Sequence, residues 1–157
     1  MTLFFIFLGA VIASAAVLYA VWKFIQRGRA VERMAAMQEF SGQQAELAHR
    51  FLEAAALSGK PRGLRWAGCE LQGAPLFAVD EATGELVALV AATVSFAAIE
   101  GGGMEDVEAV GNLRSATATF VYRRHAWGTD GRVIFNLEPA EALAKFAGAL
   151  RAVEART

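Results

Sequence analysis

Few side chains in this chain have the chemistry to make or break bonds. The one cysteine, Cys69, stands between Gly68 and Glu70, and the two histidines, His49 and His125, are distant from it in sequence. A nucleophilic thiol needs a base within hydrogen-bond reach, so a Cys–His pair would have to be assembled by folding. The local pattern predicts instead a small, partly buried cysteine. The strings G-x-S-x-G, H-E-x-x-H and C-x-x-C do not occur, and no catalytic residue is expected.

Metal and cofactor chemistry find equally little support. Two histidines and one cysteine fill no tetrahedral zinc site without carboxylates, and none of them is paired at ligand spacing. Glu100, Glu105, Asp106 and Glu108 offer the oxygens that calcium takes, but not in the alternating order that wraps a loop around the ion. Gly101-Gly102-Gly103 is followed by Met104-Glu105-Asp106, whose charges repel a phosphate, and no G-K-[ST] follows. The triple glycine reads as a mobile connection. Gly59-Lys60-Pro61-Arg62-Gly63 has the right charge, but proline removes a donor. No metal and no cofactor is expected.

One cluster could recognise a partner. Arg123, Arg124, His125 and Arg132 flank a hairpin tip that carries Trp127, a combination suited to anionic headgroups, an acidic protein or a nucleic acid. The alternative has Trp127 folded back onto the sheet with the arginines solvated. Lys60, Arg62 and Arg65 near Trp66 extend this interaction patch only if both hairpin ends reach the same side.

The elements that must carry these residues begin with an apolar run. From Thr2 to Trp22 there is no charge, and about 21 helical residues cover the ~30 Å core of a bilayer. Tyr19 and Trp22 close the run at headgroup level, and Lys23, Arg27, Arg29 and Arg33 follow. A single transmembrane helix is expected over residues 1–26. A cleaved signal peptide is the rival, since Ala13-Ser14-Ala15 has the small residues a peptidase accepts. No basic residue precedes the run, however, and the triplet falls in its middle. The basic flank puts the amino terminus outside and the C-terminal domain in the cytoplasm of a cell-membrane protein.

Residues 27–40 continue as a helical juxtamembrane stalk, with Val31, Met34, Met37 and Phe40 spaced in threes. Residues 41–157 form the globular domain. Ser41 suits an N-cap with Gln44 completing a capping box, and Ala45, Ala48, Phe51, Leu52 and Ala55 give an amphipathic helix that Gly59 and Pro61 close. Strands are expected at Leu64–Leu71, Pro75–Val79, Glu85–Ile99, Arg114–Arg124 and Arg132–Leu137, about four or five in one antiparallel sheet, since the connections are too short for parallel crossovers. Glu85–Ile99 is apolar on both faces in its first half and belongs in the middle. After Pro139, Leu143, Phe146, Ala147, Leu150 and Val153 recur at helical spacing.

The fold class is therefore α+β, a single transmembrane helix followed by helix, antiparallel sheet, helix, with both helices on one sheet face. That order gives a curved sheet and resembles, at the level of architecture, the cystatin or NTF2-like group.

The formal charge is −1, and with Lys23, Arg27 and Arg29 assigned to the anchor the rest is mildly acidic. That argues against nucleic acid, which needs a basic face. The functional expectation is a membrane-anchored, non-catalytic module with a protein partner. The alternative is a small-molecule ligand, or less favoured a substrate, in a pocket of the cone-shaped domain.

Overall fold

The computed structural model describes residues 2–58 and 63–153, with side chains from Ile12 onward except that of Ala109. Helix α1 runs over Thr2–Gly42 and α2 over Gln44–Ser58; β1 (Leu64–Asp80), β2 (Leu86–Ala98), a 3-10 turn (Glu108–Gly111), β3 (Arg114–Arg123), β4 (Ala126–Gly128), β5 (Val133–Phe135), α3 (Pro139–Lys145) and β6 (Leu150–Ala152) follow. The chain divides into two compact units, residues 1–35 and residues 36–157.

In the first unit the apolar run is helical, and Ile12, Val17, Leu18, Tyr19, Val21, Trp22 and Phe24 are exposed. Among the described residues no helix is long and apolar enough to cross a membrane. The spanning segment expected over Thr2–Trp22 is therefore not met: the side chains of residues 2–11 lie outside the described residues, and Ile12–Trp22 alone covers only ~16 Å at ~1.5 Å per residue.

The second unit is an α+β domain built on a six-stranded antiparallel sheet, in the order β4-β3-β2-β1-β6, with β5 also on β3. It begins at Ala36, not Ser41. The helix expected to end as a stalk continues to Gly42, and Ala36 and Phe40 are fully buried. The break falls at Gln43, whose N–H donates to the Phe40 carbonyl at 3.0 Å and whose carbonyl accepts from Leu47 at 2.9 Å. Ser41 is thus not a cap.

Side-chain alternation explains why β2 is central. Leu86, Ala88, Val90, Ala92, Val94 and Phe96 pack with Ala118 and Phe120 of β3 against Phe40, Leu47, Phe51 and Ala55. The small Ala88, Ala92 and Ala118 leave room for the helices to sit close to the pleat. The two strands expected at Leu64–Leu71 and Pro75–Val79 are one, β1, which absorbs its irregular stretches in register shifts between Trp66 and Gly68 and between Gln72 and Leu76.

The C-terminal helix is shorter than its periodicity suggests. Glu138 donates its N–H to Glu141 Oε2 at 2.9 Å, Pro139 opens α3, and the helix closes at Phe146, whose N–H reaches the Ala142 carbonyl at 3.1 Å. The Ala149 and Leu150 N–H groups both return to the Phe146 carbonyl at 2.8 Å, and Leu150–Ala152 pairs with Ala78–Asp80 as β6. Phe146 and Leu150 lie with Val87, Leu89, Thr119 and Ile134, the residues that alternate away from the α2 side. The expectation that both helices share a face is corrected: α2 and the end of α1 cover one face, and α3 lies toward the other.

The loop between β4 and β5 touches α2. Gly131 has φ +70°, and a Cβ there would stand 2.6 Å from Ala55 Cα, inside the backbone of the helix. Gly84 has φ +72° with nothing within 4 Å. Gly131→Ala should lower unfolding free energy by about 2 kcal/mol or more, and Gly84→Ala by only about 1 kcal/mol, because strain acts at both and collision at one. Urea denaturation midpoints of the two variants check the difference.

Candidate functional site

The turn between β3 and β4 places the expected patch. Tyr122 pairs with Trp127 and Arg123 with Ala126, leaving Arg124 and His125 as the central residues, at φ 52° and φ 63°. Two left-handed residues define the tight turn whose twist matches a hairpin, a conformation that glycine or asparagine adopts at less cost. Both side chains are exposed at the tip.

Trp127 is not part of that surface. It is 2% exposed, its indole N–H donates to the Ala36 carbonyl at 2.8 Å, and its ring meets Phe40 at 4.8 Å edge to face and Tyr122 at 5.4 Å. Pairing with Tyr122 sets it on the face that the helices cover, where its apolar area and its one donor are both satisfied. Arg123 points to the opposite face, 2.9 Å from Glu85 Oε1 and 3.7 Å from Asp130 Oδ2. Arg132 is exposed, its guanidinium carbon 5.8 Å from the centre of the Phe146 ring. The five residues thus divide into an exposed tip, a charged pair of arginines on the α3 side and a core tryptophan.

The second basic group does not join them. Lys60 and Arg62 lie outside the described residues. Arg65 pairs with Ala97 at the far end of β2, while Arg123 lies by Glu85 at its beginning. At ~3.3 Å per residue, Leu86 to Ala97 spans about 36 Å. Tyr19, Trp22, Lys23, Arg27 and Arg29 are all exposed on α1, with Lys23 Nζ 5.8 Å from the Tyr19 ring and the Tyr19 and Trp22 rings 6.0 Å apart.

Arg123 and Arg132 border a cleft of about 180 Å³ on the α3 face. Val87, Leu89, Val121, Ile134 and Phe146 supply apolar walls, and Asp80, Glu85 and Asp130 complete the rim. Backbone N–H groups of Thr83 and Ala82 hold the Asp80 carboxyl below the usual carboxylate range, and the Arg123 guanidinium does the same for Glu85. Rim carboxylates held this firmly ionised are poor proton donors near neutral pH. The walls of the cleft were readable in part from the two-faced apolarity of β2; Phe146 was not, because its spacing assigned it to a helix face.

Cys69 is half-buried, and burial alone pushes its thiol up to about 11. His49 is engaged with Glu53 on α2, Nδ1 to Oε1 3.5 Å. Among the described residues no group of three or more His, Cys, Asp and Glu could hold a metal ion. The triple glycine is pinned: Gly102 donates to the Ile99 carbonyl at 2.8 Å, Ile99 to the Gly63 carbonyl at 2.9 Å, and the Gly101 N–H to Glu105 Oε1.

Compared with protein-family models, curated proteins and solved structures, the chain finds no match in any of the three.

Two measurements probe these placements. Trp127→Phe removes the bond to Ala36 and should cost about 1–2 kcal/mol in denaturant unfolding. A thiol raised from 9.0 to about 11 carries roughly a hundredfold less thiolate at pH 8. Alkylation of Cys69 should therefore be about that much slower in the native chain than in urea, and its rate should still be climbing past pH 9.

Proposed function

We propose that this chain is a membrane-tethered, non-catalytic module whose α+β domain faces the cytoplasm and acts by binding another protein. The carrying observation is the run from Thr2 to Trp22: uncharged, helical, and followed at once by Lys23, Arg27, Arg29 and Arg33. The exposure of Ile12, Leu18 and Phe24, at 61%, 69% and 79%, supports an apolar environment for this helix, since water is a costly one. The last residues of α1, Ala36 and Phe40, are part of the domain core. An accessory role fits a domain in which burial keeps the single thiol protonated and the Asp80 and Glu85 carboxyls are held below the usual carboxylate range.

A second reading has a small ligand in the α3-side cleft, favoured by its apolar walls beneath Arg132. It fits a compact molecule with one anionic group, because Arg132 has no ion-pair partner among the described residues.

Membrane fractions carrying the full chain, washed with alkaline carbonate, test the tether, and reporters fused after Thr157 test the side. The chain should stay in the pellet, and only the reporter active in the cytoplasm should work. Release into the wash, or activity of the outside reporter, would overturn the proposal.

A further inference from the structure

Among the described residues, one long edge of the sheet has no strand against most of its length. β6 pairs with β1 only at Ala78, Val79 and Asp80, and the Val153 N–H adds a bond to the Phe77 carbonyl. Below that, Gln44 Nε2 donates to the Gly73 carbonyl at 3.4 Å. From Leu64 to Gln72 no described strand lies against the outer side of β1. Its main-chain donors and acceptors there form a row that another extended strand can complete.

We infer that this edge pairs with the same edge of a second copy of the chain, antiparallel about a two-fold axis between Ala67 and Gly68, making one continuous sheet across a homodimer. The assignment rests on how residues fall on the strand. Leu64, Trp66, Cys69 and Leu71 pack toward the core, while Arg65, Glu70 and Gln72 are exposed, the bulge at Ala67 having shifted the alternation by one. A two-fold antiparallel pair must match inward residues with inward and outward with outward. About this axis Leu64 meets Leu71 of the other copy, Trp66 meets Cys69, and Arg65 meets Glu70, with each match occurring twice by symmetry.

Charge fixes the register. Arg65 and Glu70 have no ion-pair partner among the described residues. They are about 16 Å apart along one strand, too far to meet within a chain. Across the proposed axis they are directly opposed, the placement in which unlike charges stabilise a strand pair and like charges disrupt it. The bulge, which would spoil an ordinary edge, falls on the axis, so each copy brings its irregularity to the same place. Ala67 and Gly68 there have the small side chains that close backbone approach needs.

The inference does not rest on the tether, and the test separates the two. Sedimentation equilibrium of the full chain in one mild detergent, across a range of protein concentrations, should show a monomer–dimer equilibrium. Arg65→Glu alone and Glu70→Arg alone, each placing like charges in opposition, should weaken self-association at least about tenfold. Arg65→Glu with Glu70→Arg in the same chain should restore it. Mixing the two single variants should also restore it, since each then supplies the charge the other lacks. Circular dichroism of the variants should match the parent, because both side chains are exposed. A parent that stays monomeric throughout, as an edge reserved for a different protein would give, overturns the inference. So does a dimer indifferent to both single variants, which would place association on another surface such as α1.

Discussion

The domain depends on the last turns of α1 being inside it. Phe40 is fully buried, and its ring lies 5.5 Å from Phe120, 5.9 Å from Phe77 and 4.8 Å from Trp127, drawing β3, β1 and β4 to one point. Each such contact is worth about 0.5–1.5 kcal/mol beyond area burial. The indole bond to the Ala36 carbonyl spans residues far apart in sequence and gives the tryptophan's only donor a partner. Remove this anchor and the helix-facing side of β2, from Leu86 to Phe96, loses much of its cover. The same fact decides the fate of the basic hairpin. A tryptophan beside arginines suggests a surface anchor, but burying its large apolar area stabilises by roughly 2–3 kcal/mol, more than an exposed contact of the same ring offers.

That balance marks how far the sequence could be read. The antiparallel sheet, the central place of β2 and the amphipathic α2 were legible, because alternation and helical spacing report which side of an element is dry. The end of α1 was not. Phe40 belongs to a three-residue spacing that winds around a helix, and nothing local distinguishes a stalk residue from a core one; only Trp127, Phe77 and Phe120, remote in sequence, make the distinction. The C-terminal segment failed for a related reason. Leu143, Phe146, Leu150 and Val153 keep helical spacing, yet Ala78–Asp80 at the end of β1 has backbone groups to satisfy. The chain trades another helical turn for three residues of strand. Local periodicity lost to a tertiary demand for hydrogen bonds.

The two faces of the sheet then differ in kind. Toward α2 and the end of α1 the core is closed and aromatic. Toward α3 a helix of 7 residues is too short to cover the width of the strands, and a cleft remains where Val87, Leu89 and Val121 lie beneath ion-paired rim residues. Those pairs are solvent-exposed, so they orient Arg123 and Glu85 without contributing much to stability. The cleft owes its existence to the early end of α3, and its rim to the residues that close the hairpins on either side.

The edges complete the logic. On the far side of β3 the chain supplies two short strands, β4 and β5, so that most of that edge is occupied, and the tip between β3 and β4 is charged and tightly turned. On the far side of β1 it supplies β6, which stops after three residues. The remainder of β1 is irregular and carries opposite charges on its outward face, and these features have two consequences at once. Bulges and charges make the edge a poor template for arbitrary strands. Yet a bulge near the midpoint of a segment with a positive residue before it and a negative one after it is self-complementary by construction, because a two-fold axis through that midpoint maps each charge onto its opposite. An edge that excludes most partners on these grounds has, by the same pattern, selected one.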